Sequence, residues 1–288
     1  MRRDESTARS RELGMELVKV RVAANFTAEH LARLLGWSPS KICRMESGKR
    51  GTTEIDVAMY AARCKAPRKV IDRLRRLARQ SEAEYRLQDH GELLPDELIS
   101  LVTLETTATS MVSYECLWVP GLMQTEGYIR ELFKLGRRDP GKRTFEDRVH
   151  ARLTRQQLLT RRNAPRTTFF VHEHALRAEV GNPKVMSEQL THLAVVAGLP
   201  KREIRVVPAA NAPFGMFGGG FHLKQAAKTP PVAYVELDVA SLFLDDARYI
   251  QRYQQLQGDL DAHALDRHES QEWLAGLADE YDRRAAEE

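Results

Sequence analysis

The chain has 288 residues, of which 42% are hydrophobic and 29% charged, proportions of a folded globular protein and not of a disordered or fibrous one. That length accommodates two domains with separate cores, and no stretch approaches the ~20 consecutive apolar residues a membrane-spanning helix needs. The formal net charge of +4 is unevenly placed, with 19 Lys and Arg against 9 Asp and Glu in residues 1–80 and 25 against 31 in the remainder.

A basic first part followed by an acidic second part gives the first the electrostatic footprint of a nucleic-acid binder, since neutralising phosphates releases condensed counterions. A merely solvated basic surface is the plainer alternative. The opening MRRDESTARS leads into a charged amphipathic segment and not a signal-peptide core, so a cytoplasmic protein is expected. Cys43, Cys64 and Cys116 are too widely spaced for a disulfide framework or a zinc pair. A lone cysteine such as Cys43 is more often a small side chain than a redox switch.

Leu13, Leu17, Val20 and Ala24 recur at helical spacing and predict a first amphipathic helix over 10–24. Thr27 can cap a second, with Ala28, Leu31, Ala32 and Leu35 on its inner face. After Gly36-Trp37, Ser38 fits an N-cap and Pro39 the first helical position, where a missing N–H is harmless. This third helix runs over about 38–47 and ends at Gly48. Further helices are predicted at 54–63 and 67–88. Two short helices joined by a Gly-containing turn at the centre of five make a helix-turn-helix arrangement.

On the third helix Ile42 and Met45 share the inner face. Ser40, Cys43, Arg44 and Ser47 fall opposite, with Lys41 on the flank. Those outward groups suit base edges and phosphates, and arginine can bond guanine O6 and N7 together. Lys49 and Arg50 follow the helix, placed to meet the DNA backbone.

The run FTAEHLARLLGWSPSKICRMESGKR, residues 26–50, resembles the lambda-repressor-like, or xenobiotic-response-element type, helix-turn-helix regulators. The resemblance implies that Pro39, Ser40, Cys43 and Arg44 face bases while Lys41 and Lys49 serve phosphates. It also implies a structural pair between Arg21 and Glu46. Many relatives begin the second helix with a phosphate-binding glutamine where this chain has Ala28. Thr27 and the helix N-terminal amides are the candidates to replace it. Pro39 likewise stands where relatives often use a glutamine to touch a base, leaving apolar contact to a thymine methyl.

Beyond HGELLP at 90–95 the texture changes. Strand-prone runs at 112–119, 167–172, 204–208, 219–224 and 231–237 alternate with helical segments, predicting an α+β domain. The fold class is thus α+β overall, an all-α five-helix domain over 1–90 followed by an α+β domain over 91–288. The stretches YECLWVPGLMQTEGY and LFLDDARYIQRY resemble a domain of unknown function that follows such helix-turn-helix modules in many actinobacterial regulators. Some of these are described as antitoxin-like, paired with a small partner protein.

Glu173 and Glu236 stand at predicted strand ends, and with Tyr114 and Gln124 they could line an effector pocket. The plainer reading is that such carboxylates cap helices or form surface pairs. The acidic tail from DDARYIQRY to HESQEWLAGLADEY reads as amphipathic helices with Trp273, Leu274 and Leu277 on one face, packing on the domain or on a second subunit.

Enzyme signals are weak. His172-Glu173-His174 lies on a predicted strand, where neighbours alternate faces, and HExxH is absent. FGMFGGGF at 214–221 lacks the GK[ST] of a nucleotide-binding loop, and no GxSxG occurs. The expectation is a non-enzymatic, homodimeric regulator of double-stranded DNA without cofactor or metal, whose second domain binds an effector or a small protein. A protein-interaction module of an antitoxin-like pair, and more remotely an enzyme in the second domain, are the alternatives.

Overall fold

A computed structural model describes residues 8–49, 52–79, 85–89, 99–136, 144–227, 229–237 and 240–287. The chain forms two compact units, one of Met1–Arg86 with the short pieces Lys228–Val232 and Phe243–Asp246, the other of the remainder. The expected boundary at residues 90/91 lies outside the described residues.

The first unit contains five helices, α1 (Ala8–Ala23), α2 (Ala28–Leu35), α3 (Pro39–Glu46), α4 (Glu54–Arg63) and α5 (Arg68–Arg79). Their starts are set by side-chain caps. Thr27 accepts from the His30 amide, Ser38 from the Lys41 amide, and Thr53 with Asp56 closes a reciprocal capping box. Gly36, at φ 67°, turns the chain out of α2 in the left-handed conformation that glycine adopts without strain. Leu13, Leu17, Leu31, Ile42, Val57, Tyr60 and Leu74 are fully buried or nearly so and form one core. Each short helix is therefore stabilised by the apolar face it gives to its neighbours more than by its own propensity.

One predicted helix stops early. The 67–88 segment is helical only to Arg79, and Tyr85–Asp89 is a strand, β1. YRLQD alternates apolar and polar residues, the period of a strand and not of a helix.

The second unit is built on β2 (Ser110–Glu115), β3 (Arg166–His172), β4 (Arg202–Val207) and β5 (Phe221–Ala226), in the order β5-β2-β3-β4, and it also holds residues 233–236 of β6 (Thr229–Glu236) and 240–242 of β7 (Ala240–Leu244). β3 runs parallel to both β2 and β4, and β5 runs antiparallel to β2, with Ser113 opposite His222. The helices are α6 (Ile99–Thr107), α7 (Glu126–Leu135), α8 (Phe145–Gln156), α9 (Glu173–Arg177), α10 (Pro183–Ala197), α11 (Ala247–His263) and α12 (Arg267–Glu287).

Successive residues of β3 serve opposite faces. Phe169 and Val171 join a core with Leu190 and Leu193 of α10 and Leu274 and Leu277 of α12, while Phe170 joins Tyr114, Phe217, Phe221 and Leu260 of α11. Parallel strands covered on both faces read as continuous apolar runs, as TTFFVH does. The acidic tail thus packs on its own sheet, with Trp273 half-buried beside Leu274. The Gly-rich FGMFGGGF segment is a loop that leads into β5 and anchors itself through buried Phe217. The run expected as a strand over 112–119 starts two residues earlier and ends at Glu115, ahead of Pro120.

The α1–α3 contact leaves no room for side chains at two positions. A Cβ on Gly14 would stand 2.3 Å from the Glu46 carbonyl oxygen, and one on Gly48, at φ 70°, 2.5 Å from the Ser10 carbonyl oxygen. Gly258 in α11 faces open space. Gly14→Ala is expected to destabilise the first unit by about 1–3 kcal/mol through overpacking, and Gly258→Ala to stabilise the second by ~0.5–1 kcal/mol through helix propensity. Urea denaturation followed by circular dichroism measures both.

Candidate functional site

α3 is amphipathic in the sense a reading helix requires. Ile42 and Met45 are 0% and 3% exposed, whereas Pro39, Ser40, Cys43, Arg44 and Ser47 are all exposed. The Arg44 guanidinium donates to the Ser40 hydroxyl at 3.1 Å, one turn back, which holds the two outward polar groups together. Thr27 is exposed with its hydroxyl oxygen on the His30 amide, and Lys49 is exposed just beyond the helix. Arg50 lies outside the described residues.

Lys41 is engaged within the fold. Its ammonium donates to Asp56 at 2.5 Å and sits 4.0 Å from the centre of the Trp37 ring. Burial works against ionisation of Asp56, but the bonds from Lys41 and Thr53 outweigh it and hold the carboxyl below its ordinary pKa. A phosphate reaching Lys41 must compete with Asp56, so this residue is less available than its position on the helix flank suggests.

The back of α3 is clamped. Arg21 donates through Nε and Nη2 to the two oxygens of Glu46 at 2.7 and 2.9 Å, and through Nη1 to the Phe26 carbonyl at 2.9 Å. The Tyr60 hydroxyl donates to the same carboxylate. Glu46 accordingly holds the Arg21 guanidinium above its usual pKa, while burial first and Glu46 second push the Tyr60 phenol up. The pair expected from the sequence is present, and Tyr60, which was not singled out there, completes it. Its signal was available as a lone aromatic on the inner face of EIDVAMYAAR.

In the second unit the four residues proposed for a pocket are divided. Gln124 and Glu236 line one cavity of about 650 Å³, together with Glu115, Trp118, Phe133, Arg148, Arg152, Arg155 and His222. Tyr114 is not among them: it is fully buried on the other face of β2, with its ring against Phe217 and Phe221. Glu173 begins α9, where it pairs with Arg177 at 2.7 Å and accepts from the Ala209 amide at 2.9 Å. Burial would raise the Glu173 carboxyl, and these donors instead hold it below its ordinary value.

Beside the cavity lies a buried ionic trio. Arg155 donates two bonds of 2.8 Å to Glu105, and Lys224 a third of 3.2 Å. Glu105 and Lys224 are 2% and 3% exposed. Burial alone would raise the Glu105 carboxyl, but Arg155 and Lys224 overcome it and hold the group at about 2.

His172 is a structural histidine. It is 1% exposed, its Nε2–H donates to the Ala212 carbonyl at 2.9 Å, and its Nδ1 accepts from the His174 amide at 3.0 Å. Both ring nitrogens are therefore occupied. Among the described residues no group of three His, Cys, Asp or Glu side chains is arranged to hold a metal, and no helix is long and apolar enough to cross a membrane.

A helix-turn-helix domain matches residues 12–83, which span α1 to α5. The domain of unknown function DUF5753 matches residues 98–276. The chain belongs to the DUF5753 family. No curated protein matches it. In this DUF5753 chain, then, a DNA-binding fold with a regulatory role precedes a sheet domain that carries the cavity.

Glu105 gives the second unit a defined acid sensitivity. Its folded pKa lies below the unfolded value of ~4.3, so its contribution is present above that pH and is lost as the pH falls towards about 2. Glu105→Gln is expected to lower stability at neutral pH by roughly 2–3 kcal/mol and to flatten the stability profile between pH ~4.3 and ~2. Hydrogen exchange of residues 99–107 across that range reads it out.

Proposed function

We propose that the protein is a sequence-specific transcription regulator of the lambda-repressor-like, xenobiotic-response-element type, which inserts α3 into the major groove. It acts as a homodimer on two half-sites about one helical turn apart. The observation that carries this reading is the division of α3 into a buried face of Ile42 and Met45 and an exposed face bearing Pro39, Ser40, Cys43 and Arg44. The basic balance of residues 1–80, 19 Lys and Arg against 9 Asp and Glu, supports it.

The roles within the face follow from chemistry. Arg44 reads a guanine, Ser40 holds its guanidinium in place, and Pro39 and Cys43 supply apolar contact to neighbouring bases. Lys49, Thr27 and the amides opening α2 meet phosphates. The second unit tunes this activity by binding an effector in its cavity, which is supported by the convergence of charged and aromatic side chains there.

Arg44→Ala is expected to weaken operator binding by about 1–3 kcal/mol and to relax preference at one base position. Lys49→Ala should weaken all DNA alike and reduce the salt slope by about one unit. Selection of bound DNA from a random pool, then titration at several salt concentrations, measures both. An Arg44→Ala variant that selects the same sequences as the parent would remove α3 as the reading helix.

A further inference from the structure

Lys41 is the third residue of α3, on the flank where the resemblance to lambda-repressor-like regulators implies a phosphate contact. The fold uses this cation otherwise. Its ammonium stands between two partners, Oδ1 of Asp56 at 2.5 Å and the Trp37 ring, 4.0 Å from its centre. Trp37 is half-buried and packed on the core of the first unit, so the ring side of this arrangement is anchored.

Asp56 is held as firmly on its other side. Its Oδ2 accepts from the Thr53 amide at 3.3 Å and from the Thr53 hydroxyl at 2.9 Å, the acidic half of the capping box that opens α4. The carboxylate therefore cannot turn without uncapping α4, and Oδ1 is left aimed at Lys41. The two side chains are 32% and 17% exposed, partly withdrawn from solvent, where salt screens a pair less. A phosphate that drew Lys41 away would leave Oδ1 without its charged donor, and that carboxylate would then repel an incoming backbone of the same sign.

We infer that Lys41 stays on Asp56 when the protein binds DNA, so that Asp56 is a positioning residue that withholds one cation from the phosphate backbone and limits sequence-independent affinity. The inference rests on the reading of α3 as the reading helix. Within that reading it replaces the phosphate contact implied for Lys41 by a strut between α3 and α4, and it leaves the base contact of Arg44 as it stands.

The test titrates the full chain, Asp56→Asn and the double variant Lys41→Gln/Asp56→Asn with random-sequence duplex at several salt concentrations. Asp56→Asn frees Lys41 and is expected to bind more tightly at low salt, with a salt slope steeper by about one unit, so that its advantage shrinks roughly threefold between about 50 and 200 mM salt. The double variant has the net charge of the parent and no cation to free. It is expected to match the parent in slope, and in affinity within about twofold. Damage to the capping box alone would weaken binding without steepening the slope. Where melting curves show that the Asn variant fails to fold, Asp56→Gln repeats the measurement, since glutamine is an ordinary acceptor at this position of a capping box.

A double variant that binds more weakly than the parent, with a slope shallower by about one unit, means that Lys41 leaves Asp56 for a phosphate and overturns the inference. An Asp56→Asn slope equal to that of the parent overturns it too, as does a gain that survives the loss of Lys41. A parent that binds no duplex removes the regulator reading and the inference with it, whereas a parent that binds while the variants depart from this pattern removes the inference alone.

Discussion

Glu46 sits at the last residue of an eight-residue helix, α3, and its carboxylate receives Arg21 from α1 and Tyr60 from α4. An isolated helix of two turns is unstable in water, so the orientation of α3 depends on what surrounds it. Its apolar side fixes depth, through Ile42 and Met45, but apolar contact is not directional. The bidentate Arg21 pair and the Tyr60 hydroxyl supply direction. Arg21 also donates to the Phe26 carbonyl in the turn before α2, so one guanidinium ties the helix entry, α1 and α3 into a single arrangement. The backbone approach at Gly14 and Gly48 completes the constraint, since α1 and α3 cannot slide past each other without collision.

That rigidity decides which groups α3 offers outward. The Arg44 guanidinium is steadied by Ser40, a charge-assisted bond to a neutral hydroxyl, which another acceptor replaces more readily than it would a counter-ion. Lys41 is steadied by Asp56, a charged bond that a phosphate replaces with much smaller net gain. Two cations three residues apart on one helix are thus unequal. The Arg44 guanidinium is therefore easier to redirect than the Lys41 ammonium, which faces a full counter-charge in Asp56.

The sequence made the first unit legible because its determinants are local. Thr27, Ser38 and Thr53 are caps within three residues of the amides they bond, and Leu13, Leu17, Ile42 and Met45 mark their faces by spacing alone. α5 overran because no Gly or Pro separates its helical run from YRLQD. β7 went unrecognised because ASLFL is only five residues long, too short to show a period against its neighbours. The cavity was half legible. Gln124 and Glu236 were placed in it, but Tyr114 and Glu115 are adjacent on β2, and a shift of one residue exchanges the faces of a strand. Arg148, Arg152 and Arg155 recur at helical spacing in FEDRVHARLTRQ, which announces a common face without saying what that face meets.

What α8 meets is settled by polar docking at successive turns. Arg152 donates to Gln124, Arg155 to Glu105, and Gln156 to the carbonyls of Gly121 and Gln124. A buried trio such as Arg155, Glu105 and Lys224 is weak ground for stability, because well-packed apolar residues of the same volume often do as well. An apolar interface, however, would let α8 rotate or slip by a fraction of a turn. Fixing Arg155 on Glu105 fixes the phase of the helix, and the phase of the helix determines that Arg148 and Arg152 both lie over Phe133. The ionic trio is therefore best understood through its neighbours: it sets the angular position of α8, and with it the place of Arg148 and Arg152 beside Phe133 in the lining of the cavity.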